Sequence, residues 1–278
     1  MIEGYMHVAA MGGWREVVRE QLDKLRASGL HDRTDRIAVT ILGEGEADLF
    51  RGPKFDVVRD PRLSLFEFAT LRRMEGSEAD QAWYVHTKGV SRTENLADWR
   101  RYMEHFIIER HEDCLASLKE HDACGVDLRL WPKPHFSGNF WWATGRHLRT
   151  LPSVDSVLAD DGLVPFLKGY NPRYDERHKA EFWVLMGEEV RVDCLFGSGV
   201  DHYREPFPRE RYAGVGHRGV PVPTWDEDHR THLATRFHIE GDEAYRSGDL
   251  AKAREAWRRG AELGSEQCRR NLEWSAGR

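Results

Sequence analysis

The 278-residue chain is long enough for one large domain, or for one domain with an appendage, and its 40% hydrophobic content can fill a core. A formal net charge of −6 at pH 7 leaves no broad cationic surface, which argues against nucleic acid as a partner. The sequence shows neither a signal-peptide pattern nor the roughly 20 consecutive apolar residues of a transmembrane helix. We therefore expect a cytoplasmic protein without a transmembrane segment.

The four cysteines are widely separated and form no Cys-x-x-Cys pair; they are Cys114, Cys124, Cys194 and Cys268. This spacing argues against a disulfide framework and against a structural zinc site. We expect four reduced thiols, as is usual in a cytosolic protein.

The first 42 residues predict a strand, a helix and a second strand. Residues 6–10 suit a strand, and apolar residues recur at helical spacing over 14–27. Residues 37–42 form the short continuous apolar run that is typical of a buried parallel strand.

The alternation of strands and helices continues to residue 128. Residues 55–58, 82–86 and 124–128 predict strands, while 63–74 and 96–121 predict helices. This order predicts an α/β fold with a mostly parallel sheet and helices on both faces.

The turn after the strand at 82–86 is the first candidate site. Trp83 and Val85 suit a buried strand, and the polar run His86-Thr87-Lys88 precedes a glycine that permits a sharp turn. Ligands of open α/β sheets bind outside the carboxyl ends of strands, so we expect these three side chains to face a crevice. The alternative is a surface turn that happens to carry a histidine and a lysine.

The middle of the chain predicts a pocket wall and a lid. The aromatic run at 135–143 suits either a core strand or the wall of a sugar-sized pocket. Residues 179–187 predict a helix and 190–196 a strand. The Gly- and Pro-rich stretch 197–223 has too little apolar periodicity for regular structure and predicts an active-site lid or a wrapping loop.

The last 51 residues predict a separate helical appendage. Helical patterns at 232–247, 249–263 and 265–276 are spaced much like one tetratricopeptide repeat with its capping helix. A single repeat cannot bury its own apolar face, so this tail must dock on the rest of the chain or on a second subunit, which allows a homodimer. The predicted domains are therefore 1–227 and 228–278.

Taken together, several segments resemble a family of uncharacterised bacterial glycosyltransferase-like proteins and, more distantly, the rhamnan-synthesis glycosyltransferases. The matching pieces are His7 to Gly12, Ser28-Gly29-Leu30, His86-Thr87-Lys88-Gly89, Trp99-Arg100, Phe136 to Ala143 with Leu151-Pro152 after it, and Glu181-Phe182-Trp183. The resemblance spans about residues 5 to 196. It implies a GT-A-like fold and transfer of a sugar from a nucleotide-activated donor to a saccharide, peptide or small-molecule acceptor.

The sequence departs from the GT-A pattern at the strand that ends in His86. There GT-A enzymes usually carry Asp-x-Asp, whose carboxylates hold a divalent ion against the donor diphosphate. This chain offers histidine, threonine and lysine instead, and a hard ion gains little from these side chains. A divalent metal is possible but not favoured, and no other cofactor is predicted. The resemblance implies donor binding by Lys88 and Thr87, with His86 beside them and added charge from Arg92 or Arg100.

Sugar transfer also needs a base that deprotonates the acceptor. Glu181 is the candidate, because its neighbours Phe182 and Trp183 would desolvate it if it faces the pocket. The alternative is an ordinary solvated helix residue. Asp127 is a weaker candidate base and could equally be a structural cap. The expected sugar or acceptor pocket consists of His135, Ser137, Asn139, Trp141 and Trp142. Strand alternation predicts that one of the two tryptophans faces the core and the other faces the sugar.

A rival function comes from a different class. The missing Asp-x-Asp fits lost catalysis as well as metal-free catalysis, so the chain could be an inactive glycosyltransferase-like scaffold that binds a partner protein through its helical tail.

Overall fold

The computed structural model describes residues 1–90, 94–169, 171–172, 174–214, 216 and 218–276. These residues fall into two compact units. The first comprises Met1–Leu128, Pro134–Leu158 and Ala180–Val222, and the second comprises Arg129–Lys133, Ala159–Lys179 and Pro223–Arg278. The domain boundary at residue 227 stays a prediction, and the second unit also contains two segments from before residue 180.

The strands of the described chain are β1 (Ile2–Ala9), β2 (Arg36–Leu42), β3 (Phe55–Asp60), β4 (Gln81–His86), β5 (Ala123–Val126), β6 (Leu128–Arg129), β7 (His135–Phe136), β8 (Trp141–Thr144) and β9 (Val192–Phe196). Seven of them form one sheet in the order β3-β2-β1-β4-β8-β5-β9. Strands β1 to β4 pair in parallel, as do β5 and β9, whereas β8 runs antiparallel to both of its neighbours. The predicted α/β fold with a mostly parallel sheet is confirmed.

The helices are α1 (Trp14–Ala27), α2 (Leu30–Arg33), α3 (Phe68–Met74), α4 (Glu94–Glu104), α5 (His111–Ser117), α6 (Gly145–Leu148), α7 (Val154–Leu158), α8 (Leu163–Lys168), α9 (Lys179–Phe182), α10 (Trp225–Arg246), α11 (Leu250–Glu262) and α12 (Glu266–Ala276). Helix α1 has the predicted bounds. It buries Val18, Leu22 and Leu25 at helical spacing, and basic residues in its last turn complement the helix dipole.

Alternation along the strands separates two faces of the sheet. Side chains that enter the main apolar core are Met6, Val8, Trp83, Val85 and Trp142. Their neighbours on the same strands, which stand on the other face, are Tyr5, His7, Tyr84, His86 and Trp141. The second set includes the two buried histidines at the carboxyl ends of β1 and β4, so this face carries the candidate chemistry.

The predicted helix over 63–74 is wrong in its continuity. A 3₁₀ turn at Leu63–Leu65 is followed by Phe66, whose φ of 46° lies in the left-handed region and breaks the helical path. Helix α3 begins only at Phe68, so Glu67 becomes its N-cap residue instead of an interior one. The helical periodicity of the sequence does not reveal this break.

The predicted long helix over 96–121 is also interrupted. After α4 the chain forms a π-helical segment at His105–Glu109 before α5 begins. Side chains satisfy carbonyls of this segment: the indole Nε1 of Trp142 donates to the Ile107 oxygen at 2.9 Å, and His111 Nδ1 donates to the Ile108 oxygen at 3.1 Å.

In the second unit, α10 begins at Trp225, earlier than the predicted start at residue 232. Thr224 and Glu227 form a capping box that fixes this start. The carboxylate of Asp228 is 1% exposed and accepts hydrogen bonds from the Leu130 amide at 2.7 Å and from Arg129 at 3.1 Å. It therefore joins α10 to the 129–133 segment of the same unit.

Candidate functional site

The ends of β1 and β4 are tied together by Thr87. The Thr87 amide donates to the His7 carbonyl at 3.0 Å, and the Thr87 hydroxyl oxygen accepts from the Ala9 amide at 2.9 Å. Its hydroxyl hydrogen donates to no described residue, although Thr87 is only 4% exposed. Thr87 therefore has a structural role and still retains a hydrogen that a ligand could accept.

His86 and His7 lie side by side in register on the polar face and are both neutral at neutral pH. Burial, and then the nearby Lys88 ammonium, lowers the pKa of His86 to about 3. Burial lowers the pKa of His7 to about 4. His86 Nε2 donates to the Gly138 carbonyl at 2.9 Å, which fixes its tautomer, while His7 Nδ1 lies 3.0 Å from the Thr70 hydroxyl.

The ammonium of Lys88 lies over an aromatic ring at the carboxyl end of β4. Its Nζ is 3.9 Å from the centroid of the Trp99 ring. Gly89 follows with a φ of 83°, a conformation that favours glycine, so the chain turns directly after the lysine. Lys88 is half-buried, which reduces solvent screening of its charge.

Arg100 has carboxylate partners within the protein. Its guanidinium donates to Glu104 at 2.7 Å and to Glu20 at 2.6 Å, and the residue is 2% exposed. Gln21 joins this network to the candidate site, because its Nε2 donates both to Glu104 and to the His86 carbonyl at 3.0 Å. Arg100 thus stabilises the packing behind β4, and its donor-binding role stays a prediction.

The carboxylates of Glu67 and Glu181 both affect the pKa of Tyr84 on the polar face. Burial first, then Glu67 and then Glu181, raises the pKa of Tyr84 well above its ordinary value. Glu181 also raises the pKa of His86, against the larger effects of burial and Lys88. Glu181 is half-buried on the short helix α9 and forms no ion pair with a described residue. It lies within electrostatic range of Tyr84 and His86, and its role as a base stays a prediction.

Asp127 is held in a different network. Its φ of 49° is left-handed, which aspartate tolerates, and its carboxylate accepts from the Ser198 amide at 2.6 Å and the Ser198 hydroxyl at 2.9 Å. His202 Nε2 lies 3.0 Å from the same carboxylate, and its ring stacks on Trp99 at 5.0 Å. These contacts favour the structural reading of Asp127, as an anchor for the start of the 197–223 segment.

The expected pocket residues are divided between the two faces. Trp142 enters the main core, and Trp141 stacks on Tyr84 with ring centroids 5.3 Å apart on the other face, so the predicted alternation is observed. Both indoles are 0% exposed, and neither offers an open face to a sugar in this structure. Asn139 accepts from the Trp141 indole at 2.9 Å.

The other two pocket candidates lie near these residues in sequence but have separate contacts. The ring of His135 packs edge-on against Phe182 at 5.1 Å, and the Ser137 amide donates to the Asp127 carbonyl at 3.1 Å. Arg92 lies outside the described residues.

The protein family described as "Domain of unknown function (DUF8361)" matches residues 9–157, more than half of the sequence. The chain belongs to this family. No curated protein matches it. The family description assigns no activity, so the glycosyltransferase resemblance stays a proposal.

Two solved structures are similar to this chain at low identity. One is 4-diphosphocytidyl-2C-methyl-D-erythritol synthase from Anaerococcus prevotii DSM 20548, with 11% identity over 70% of this chain and 88% of that chain and a TM-score of 0.41. The other is HddC from Yersinia pseudotuberculosis, with 9% identity over 71% of this chain and 91% of that chain and a TM-score of 0.39. Likenesses at this level carry no argument about activity.

The DUF8361 region contains most of the polar face. His86, Thr87, Lys88 and Asn139 lie inside it, whereas Glu181 lies beyond its end. It also contains Glu67, which the sequence analysis placed inside a helix and did not name as a site residue. The available signal was a carboxylate between two phenylalanines, Phe66 and Phe68.

A surface cavity of about 500 Å³ lies elsewhere, beside α5 and β9, with Arg110, His121 and Arg218 among its lining residues. None of its lining residues is a predicted site residue, and we do not assign it to the candidate site. Within the described ranges, no group of three or more histidine, cysteine or acidic side chains is arranged to hold a metal ion. No helix in the same ranges is long and apolar enough to cross a membrane.

Proposed function

We propose that this chain is a glycosyltransferase that moves a sugar from a nucleotide-activated donor to a saccharide, peptide or small-molecule acceptor. The observation that carries the proposal is that Lys88 lies over Trp99 just past the end of β4, while the carboxylate of Glu181 acts electrostatically on Tyr84 and His86 of the same strand. A cation and a base at one strand end are the two groups that the chemistry needs.

On the donor side, Lys88 neutralises the departing nucleoside diphosphate. Its position over the Trp99 ring keeps the ammonium close to the end of β4. Thr87 is held by β1 through its amide and its hydroxyl oxygen. Its hydroxyl hydrogen supplies a neutral hydrogen bond to the same phosphate. His86 stays neutral and adds no charge, because its pKa is about 3.

On the acceptor side, Glu181 takes the proton of the attacking hydroxyl. Its neighbours Phe182 and Trp183 are buried, and Glu181 itself is half-buried, so its carboxylate lies at the edge of the apolar packing. Asp127 is the weaker candidate, because Ser198 and His202 already occupy its carboxylate.

Thermal stability in the presence of UDP, GDP, dTDP and CDP, with and without manganese, tests nucleotide binding. A ligand at 100 times its Kd stabilises by about 2.7 kcal/mol, which corresponds to a rise in melting temperature of roughly 5 °C or more. Incubation with the matching sugar nucleotides and an acceptor panel, followed by mass spectrometry, then tests transfer. A wild-type protein that responds to no nucleotide contradicts the proposal.

The inactive-scaffold alternative keeps one supporting observation. Arg100 is paired with two carboxylates, and Trp141 and Trp142 are fully buried, so several expected ligand contacts are already used internally. Nucleotide binding without any transfer or donor hydrolysis would favour this alternative.

A further inference from the structure

The carboxylate of Glu67 has no cationic partner among the described residues. Its side chain is only 20% exposed, and no lysine or arginine among the described residues forms an ion pair with it. His86 Nε2 lies 4.0 Å from Glu67 Oε1, but His86 is neutral and gives its hydrogen to the Gly138 carbonyl. Burying a carboxylate without a cationic partner is costly, so its presence here calls for an explanation.

The two oxygens of Glu67 have different surroundings. Oε2 accepts hydrogen bonds from the Tyr84 hydroxyl at 2.7 Å and from Asn139 Nδ2 at 2.6 Å. Oε1 accepts none from any residue that the structure describes. The carbonyl of a glutamine would serve Tyr84 and Asn139 equally well, so these internal contacts do not account for a charged group at this position.

The backbone holds the carboxylate in this orientation. The left-handed Phe66 ends the preceding turn and makes Glu67 the N-cap of α3, while Asn139 is itself in a left-handed conformation with a φ of 60°. Both internal donors are fully or almost fully buried, at 0% and 1% exposure, so Oε2 cannot easily be released. Oε1 is therefore a fixed acceptor next to the end of β4.

We propose that Glu67 Oε1 accepts a hydrogen bond from a sugar hydroxyl of the substrate and so orients that sugar beside Glu181. This inference rests on the proposed glycosyltransferase function. A hydroxyl is a neutral donor that satisfies an open carboxylate oxygen, and sugars carry several of them. The hydroxyl belongs either to the donor sugar or to a saccharide acceptor, and the experiment separates these sources.

The test variant is Glu67→Gln. Its carbonyl can keep both internal hydrogen bonds, which places an NH₂ donor where Oε1 was an acceptor. The matched control is Glu75→Gln at the other end of α3, where the carboxylate accepts from the Val154 amide at 2.6 Å. Glu67→Asp keeps the charge with a shorter reach and serves as a second variant if the glutamine protein does not fold.

The first arm compares binding of UDP-glucose, UDP-N-acetylglucosamine and GDP-mannose with binding of UDP and GDP by calorimetry. If the donor sugar is the source, Glu67→Gln weakens sugar-nucleotide binding about tenfold or more and leaves nucleoside-diphosphate binding unchanged. The second arm uses a panel of methyl glycosides as acceptors. If the acceptor is the source, their KM rises about tenfold or more while slow hydrolysis of the donor is unchanged.

Each remaining outcome overturns the inference. Equal weakening of nucleotide and sugar-nucleotide binding, or the same change in Glu75→Gln, would assign Glu67 a structural role. A Glu67→Gln protein that matches the wild type in both arms removes the role of Glu67 and leaves the proposed function standing. A wild-type protein that binds no nucleotide overturns both.

Discussion

The two buried histidines predict that the protein loses stability as the pH falls from 7 to 5. The ordinary pKa of histidine, 6.5, applies to the unfolded chain, whereas the folded values are about 4 for His7 and about 3 for His86. Between these values the unfolded chain binds protons that the folded protein does not, so stability is present above about pH 6.5 and is lost as the pH falls. The slope reaches about 1.4 kcal/mol per pH unit for each site.

Integration from pH 7 to pH 5 gives a loss of about 2 kcal/mol for each histidine and about 4 kcal/mol for both. Carboxylates do not account for this window, because those with strongly lowered pKa values, such as Glu109 and Asp122 at about 2, begin from ordinary values of 4.5 and 3.8. Their linked stability is lost below about pH 5. The histidine effect can therefore be measured separately.

Urea unfolding followed by far-UV circular dichroism between pH 5 and 8 measures the free energy of unfolding directly. The variants His7→Gln and His86→Gln remove the titrating ring and retain a polar side chain. Each should reduce the loss between pH 7 and 5 by about 2 kcal/mol, whatever its effect on stability at pH 7. His31→Gln is the control, because the His31 ring is partly exposed beside Asp32.

The comparison uses slopes and not absolute stabilities, so a variant that is simply less stable does not confuse the result. If a protein that carries both His7→Gln and His86→Gln shows the same pH dependence as the wild type, the assignment of neutral histidines to the polar face is wrong.

Three further predictions concern the strand-end lysine, metal dependence and the second unit. Lys88→Ala should lower donor affinity by roughly 10- to 100-fold while the fold stays intact, because one charge-assisted contact to the donor is lost; unchanged kinetics would remove its role. Sugar transfer should survive excess EDTA, and complete loss that manganese or magnesium restores would reveal a metal site. Asp228→Ala should destabilise the protein by about 2 to 3 kcal/mol, since it leaves the Leu130 amide and Arg129 without their buried partner. Urea unfolding measures this loss. A change in the free energy of unfolding of less than about 0.5 kcal/mol would show that Asp228 does not hold Arg129 and Leu130.

Several strands of the sheet were predictable because their sequence signals are local, whereas the strand order and the antiparallel β8 were not predicted. The continuous apolar run at 37–42 lies within β2, and the periodicity at 14–27 gives the bounds of α1 without correction. The end of β4 at His86 was also predictable, since a buried strand that stops in polar residues has a clear sequence signal. The alternation of side chains along a strand likewise predicted that Trp141 and Trp142 lie on opposite faces of the sheet.

The interruptions and the internal ion pairs were not predictable, because they depend on distant partners. Nothing in the periodicity of 96–121 reveals the π-helical segment, whose carbonyls are satisfied by side chains such as Trp142. Arg100 appears in the sequence as an available cation, yet Glu20 lies 80 positions away and occupies it. Whether a charged side chain is available to a ligand depends on ion pairs with residues that are distant in sequence. The spacing of residues along one helix does not reveal such pairs.

The distribution of charge on the polar face orders the substrate groups that the proposed function requires. The Lys88 ammonium lies just past the end of β4. Two carboxylates without a lysine or arginine partner among the described residues act on the same strand before it: Glu67 lies 4.0 Å from His86, and Glu181 acts electrostatically on Tyr84. A phosphate is repelled by carboxylates and attracted by the ammonium, whereas a hydroxyl is the reverse kind of partner, since it donates to a carboxylate without carrying charge. Neutral His86 lies between the ammonium and the carboxylates and attracts neither a phosphate nor a cation by charge. Under the proposed function, a ligand with an anionic end and a polyhydroxyl end therefore binds in one direction, with its phosphates toward Lys88 and its hydroxyls toward Glu67 and Glu181.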